Sequence, residues 1–135
     1  MSRQLLAMMA IFLSACAAHE ELATQDEEQA VRDYIAVRGL PEVDEIRSSS
    51  SDHWEILDPN FIIYETRREA FLVEFFRACH ELSTKHIVAD KRWDLKTINA
   101  RFDTIRGCRI SKIFALTEAD LAELKTLGES PGSRN

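Results

Sequence analysis

The stretch FIIYETRREAFLVEFFR, residues 61–77, decides the fold. Phe61 to Tyr64 is a short apolar run and Ala70 to Arg77 a longer one, apolar on both faces except at Glu74. Runs of this length, rich in aromatic and β-branched residues, read as strands. Thr66 to Glu69 lies between them as a charged turn, and Arg67 and Arg68 are most simply its solvated face. Upstream, His53 to Leu57 alternates with Trp54 and Ile56 on one face, and Asp58-Pro59-Asn60 is a turn tripeptide. The pattern predicts a three-stranded meander.

Outward from this centre the signals are shorter. Val43 to Ile46 reads as a strand and Ser48 to Ser51 as a loop. Beyond Cys79, Ile87 to Ala89 is a candidate strand and Lys91 to Asp94 a surface turn, with Trp93 a half-buried residue or an exposed contact. Ile98, Ala100 and Phe102 alternate with Asn99 and Arg101, Gly107 interrupts, and Cys108 to Phe114 resumes as the last strand. Helices flank the strands. Thr24 with Glu27 fits a capping box, Ala30, Val31, Tyr34 and Ile35 form an apolar stripe, and Gly39 followed by Pro41 ends the helix. Thr117 with Asp120 opens a second helix with Leu121, Leu124 and Leu127 as its stripe and Gly128 as its end. The expectation is an α+β fold: a small antiparallel curled sheet or partial barrel, with an N-terminal and a short C-terminal helix, stapled by one disulfide. No internal repeat or long linker divides residues 24–128, so about 105 residues make a single domain, and 129–135 form a disordered polar tail.

The N-terminus sets the covalent state. Arg3 precedes the nine-residue apolar run Leu5 to Leu13. That run is too short for a bilayer core, which needs about 20 residues, and it suits a signal peptide over residues 1–15. It ends in Leu13-Ser14-Ala15-Cys16, which resembles the lipobox of bacterial lipoproteins. The resemblance implies a diacylglycerol on Cys16, cleavage before it, a tether over 16–23, and a membrane as partner through the lipid. Ala17 in place of Asp favours the outer membrane, facing the periplasm. Ala15-Cys16-Ala17 also fits an ordinary secretory cleavage site, and a cytosolic protein with an apolar start is the third reading. With Cys16 assigned to lipid, Cys79 and Cys108 remain, and an oxidising envelope favours a bridge between them. A reactive or metal-binding thiol is the alternative. His80 follows Cys79, but neighbours on a strand face opposite ways, and no Cys-x-x-Cys spacing exists.

The residues from Val43 through Trp54, Phe61 and Phe71 to Cys79-His80-Glu81-Leu82, continued by Cys108-Arg109-Ile110, Ile113 and Leu116, resemble a family of proteobacterial lipoproteins of unknown function. The likeness covers most of residues 30–125, and it departs at the charged segment 83–97. It implies a lipobox leader, a β-rich domain and a paired Cys. It carries over no activity.

Charge excludes one class of partner. The chain has 17 Lys plus Arg and 23 Asp plus Glu; without Arg3 the balance is 16 minus 23, or −7. That argues against nucleic acid and against a polybasic grip on anionic lipid. The histidines are His19, His53, His80 and His86, and the second histidine of a His-Glu-x-x-His motif starting at His80 would fall on Thr84, so no metal spacing is met. There is no Gly-x-Ser-x-Gly elbow and no phosphate-cradling glycine loop. No catalytic, cofactor-binding or metal residue is assigned. The expected function is a lipid-anchored envelope module that binds or scaffolds another envelope protein, with a small hydrolase-like enzyme or a small-ligand or metal sensor as rivals.

Overall fold

In the computed structural model the structure describes residues 15–49, 52–82 and 96–128. The elements are α1 (Ala15–Arg38), β1 (Glu42–Val43), β2 (Glu45–Arg47), β3 (His53–Asp58), β4 (Phe61–Glu65), β5 (Ala70–Phe75), a 3₁₀ turn (His80–Leu82), β6 (Thr97–Asn99), β7 (Thr104–Ile105), β8 (Cys108–Leu116) and α2 (Glu118–Gly128). Every strand pairing is antiparallel. The main sheet runs β1-β8-β5-β4-β3 with β7 also paired to β8, while β2 and β6 form a separate two-stranded sheet. Neither closes into a barrel. No helix of the described residues is long and apolar enough to cross a membrane.

The expected meander is β3-β4-β5. Its central strands look uniformly apolar because both faces are covered. On one face Phe61, Ile63, Leu72 and Phe114 pack under Val31 of α1 and Leu124 of α2. On the other Ile62, Tyr64, Phe71, Val73 and Ile113 meet Ile46 of β2, Ile105 of β7 and the disulfide sulfur of Cys79. The molecule is therefore three layers: helices, main sheet, small sheet.

Several boundaries differ from the sequence reading. Helix α1 begins at Ala15, not at Thr24, so the backbone of the expected tether 16–23 is helical. Residues 17–23 are mostly Ala, Glu and Leu, strong helix formers, and they carry the helix through the Thr24 cap signal. The expected strand from Val43 to Ile46 divides at Asp44, with β1 joining β8 and β2 joining β6. The alternation from Ile98 to Phe102 yields a strand only through Asn99. There the Asp103 carboxylate accepts from the Asn99 amide (2.7 Å) and side chain (3.0 Å), and the chain turns. Helix α2 does end at Gly128 as read, although without a left-handed cap: a Cβ there would sit 3.0 Å from Leu57 Cδ2, so the glycine serves close packing of helix on sheet. Ile87 to Ala89, Lys91 to Asp94, Trp93, His86 and the tail 129–135 lie outside the described residues.

Candidate functional site

Helix α1 gives the domain two distinct ends. Just past its midpoint, Glu28 accepts from Asn60 Nδ2 (2.9 Å) in the β3–β4 turn, and Arg32 donates to Glu74 (2.6 Å) and Glu28 (2.9 Å) while its guanidinium lies 5.0 Å from the Phe61 ring. Toward its C-terminus, Tyr34 Oη donates to Asp120 (2.8 Å) and Arg38 Nε to the same oxygen (3.2 Å). The near end holds the β3–β4 turn, the end of β5, the start of β8 and the disulfide. The far end holds the β4–β5 turn and the Thr117 cap.

At the near end Asp58 is 3% exposed. Its Oδ1 accepts the amides of Asn60 (2.5 Å) and Phe61 (3.2 Å), which fixes the turn, while Oδ2 is buried with no hydrogen-bond partner. Burial pushes this carboxyl up to about 6, against the pull of those two amides. The turn in turn holds the next layer, because Asn60 O accepts from Phe75 N (2.9 Å) and Pro59 O from Cys79 N (2.7 Å). The sequence marks Asp58 as a turn residue; the fully covered FIIY run that follows is the one hint that the turn is buried.

Cys79 and Cys108 are joined, with Cα atoms 5.8 Å apart, inside the range a bridge requires. Glu81 Oε2 lies 3.2 Å from Cys108 Sγ. Cys79, Glu81 and Cys108 thus bring three donor-type side chains within 4.8 Å. Sulfurs bonded to one another are not thiolates, so this trio does not have the chemistry of a metal site. Cys79 is buried and His80 exposed, so the pair does not combine into a nucleophile and base. His53 Nε2 lies 2.7 Å from Glu65 Oε2, which Lys125 also approaches (3.2 Å), an inter-element charge network on an exposed surface. The side chain of Cys16 lies outside the described residues, although its backbone is the second residue of α1.

At the far end a groove of about 280 Å³ opens between the β4–β5 turn and the start of α2. Its floor is Ala70, Phe71, Leu116 and Leu121, and its rim carries Glu65, Arg68, Glu69 and Glu118. Beside it the capping box is complete: Thr117 N donates to Asp120 Oδ2 (3.0 Å) and Asp120 N to Thr117 Oγ1 (3.2 Å). The Thr117 hydroxyl and amide, with Tyr34 and Arg38, hold the Asp120 carboxyl down to about 2. Asp120 raises Tyr34 in return, to about 12, where burial is the larger cause. The sequence shows Asp120 as a cap partner; its grip on α1 is a tertiary contact without a local signal. An apolar floor with a charged rim suits binding.

Helices on one face of an open antiparallel sheet, with a disulfide-tied small sheet on the other, define an α+β domain whose polar clusters brace its layers. The chain matches the family of unknown function DUF6491 over residues 1–129 and belongs to it. No curated protein and no solved structure matches it significantly.

Proposed function

We propose that the protein is a lipid-anchored envelope protein, acylated at Cys16, whose domain binds or scaffolds a partner and catalyses nothing. One observation carries this reading: the Cys79–Cys108 bridge belongs to a chain that starts with a signal-type leader ending in Leu-Ser-Ala-Cys. Structural disulfides persist outside the reducing cytosol, so the bridge supports export independently of the leader. The family match also begins at residue 1 and runs through the leader. The resemblance to proteobacterial lipoproteins fits the same placement, and Ala17 directs the anchor to the outer membrane with the domain in the periplasm.

The binding role draws on the far groove, where Glu65 on the rim lies 2.7 Å from His53 and 3.2 Å from Lys125. Asp58, the carboxyl with the most raised affinity for its proton, is covered and holds a turn together, so it supports architecture and not substrate chemistry. Incorporation of radiolabelled palmitate tests the anchor. The wild-type chain takes up label and Cys16→Ala does not. Equal labelling of both, or a labelled band absent from both, refutes the assignment.

A further inference from the structure

The trio of Cys79, Glu81 and Cys108 is unsuited to a metal only while the bridge is closed. Its two sulfurs and a Glu81 carboxylate oxygen all lie within 4.8 Å of one another, and among the described residues they are the one group of three metal-ligating side chains this close. Glu81 Oε2 stands 3.2 Å from Cys108 Sγ. A bridged sulfur has no proton to give, so in the oxidised protein this approach is not a hydrogen bond. In the dithiol form the Cys108 S–H can donate to the carboxylate, and as thiolates both sulfurs become ligands beside an oxygen.

The backbone that carries the three donors is held without the bridge. Cys79 N donates to Pro59 O (2.7 Å), and Leu82, at the other end of the 3₁₀ turn, is buried in the small-sheet core, so Glu81 sits between two fixed points. Cys108 pairs with Ile105 of β7, and two residues further on Ile110 of β8 pairs with Phe75 of β5. Opening the bridge therefore frees two side chains and not two strands. Around a tetrahedral zinc, with bonds of about 2.3 Å to sulfur and about 2.1 Å to oxygen, two sulfurs sit about 3.8 Å apart and a sulfur and an oxygen about 3.6 Å apart. Rotation of the freed side chains reaches this arrangement from Cα atoms 5.8 Å apart and a carboxylate 3.2 Å from one sulfur. Cys79 is buried, Cys108 half-buried and Glu81 exposed, so the ion has its path in from the Glu81 side.

We infer that Cys79, Cys108 and Glu81 form a site for a zinc-type divalent metal ion when the bridge is reduced, with water as the fourth ligand, and that disulfide and metal are alternative staples of the small layer. Opening takes two electrons from a dithiol. One of its thiolates attacks the Cys108 sulfur, the more accessible of the pair, and Cys79 leaves as thiolate; the second thiol then releases Cys108 as the reductant closes its own disulfide. The metal displaces the proton from each Cys thiol, and Glu81 binds as carboxylate. Two soft thiolates with one carboxylate suit zinc, whereas calcium and magnesium take oxygen ligands. The inference does not depend on acylation of Cys16.

The test uses the full chain carrying Cys16→Ala, so that thiols come from the pair alone, reduced with a phosphine and freed of it under anaerobic conditions. Zinc affinity is measured by competition with a chromophoric chelator, and cobalt(II) serves as the spectroscopic probe. The reduced chain is expected to bind one ion, to show a thiolate-to-cobalt charge-transfer band, and to recover on zinc addition most of the melting temperature that reduction removes; the oxidised chain binds none. Glu81→Gln, which leaves both cysteines in place, is expected to bind zinc at least about tenfold more weakly once reduced, since even an outer-shell partner contributes that much. A reduced chain that takes up no zinc overturns the site. Equal zinc affinity in Glu81→Gln also overturns it, because two thiols alone would then explain the binding. Zinc held by thiolates without recovery of the melting temperature is binding by the unfolded chain, and overturns the second staple.

Discussion

At the residue scale, Asp58 and Asp120 are opposites made by environment. Both are nearly inaccessible, at 3% and 5% exposure, and both organise backbone amides. Asp120 accepts from the Thr117 hydroxyl and amide and receives Tyr34 and Arg38 as well, so its carboxyl falls to about 2. Asp58 has one oxygen with no partner, and its carboxyl rises to about 6 from an ordinary 3.8. The native state therefore binds a proton at Asp58 that the unfolded chain has already released between those values. Stability from this group is greatest below about pH 4 and falls as pH rises to 6, by about 3 kcal/mol in all at 1.36 kcal/mol per unit. We expect wild-type protein to gain stability on acidification from pH 7 to 5, and Asp58→Asn, which keeps the accepting Oδ1 without an ionisable group, to lose that gain. Urea denaturation at the two pH values measures it. An unchanged pH response in Asp58→Asn would show that the carboxyl titrates normally.

At the element scale, α1 is defined by how it ends. Gly39 has φ +59, and Leu40 N donates to Ile35 O at 3.3 Å, the six-to-one closure of a Schellman motif. Pro41 then passes the chain into β1, and Leu40 tucks into the helix-side core. A Cβ on Gly39 meets nothing within 4 Å, so any cost of Gly39→Ala is conformational and not steric. That cost is about 1 kcal/mol, or roughly 4–8 °C in melting temperature; a variant that melts with wild type would remove the backbone argument. This C-terminus was legible because glycine and proline act locally. The N-terminus was not, since a capping box marks a start only where the preceding residues resist helix, and here Ala and Glu extend it. The β6 segment misled for a related reason: Ile98, Ala100 and Phe102 keep a period of two whether or not the chain stays extended, and the Asp103 side chain that bends it pairs across four residues. Phe76 and Phe102 misled as well, because each sits in an apolar run that reads as core and yet is exposed.

At the scale of the whole molecule, layers are what the bridge unites. Cys79 leaves the end of β5 and Cys108 starts β8, two strands already paired, so the disulfide adds no new neighbour to the main sheet. What it closes is the excursion between them, 29 residues in sequence, which includes the 3₁₀ turn, β6 and β7. Those pieces form the small layer that covers Ile62, Tyr64 and Val73, and β2 and β6 supply only three residue pairs of ladder to hold it. A layer with so little pairing of its own depends on a restricted unfolded state. Closing a loop of this length contributes about 3–4 kcal/mol by the chain-entropy account, a large share of the 5–15 kcal/mol typical of a domain. Reduction should therefore lower the melting temperature by roughly 15 °C or more. The loss should also be uneven. Amides of β6 and β7 should exchange with solvent first, while β4 and β5, enclosed on both faces, keep their protection until global unfolding. Hydrogen exchange on oxidised and reduced protein reads this directly. Equal protection of β6 in the two forms would mean that the small layer stands by packing alone, and that the bridge reports the compartment without stabilising the fold.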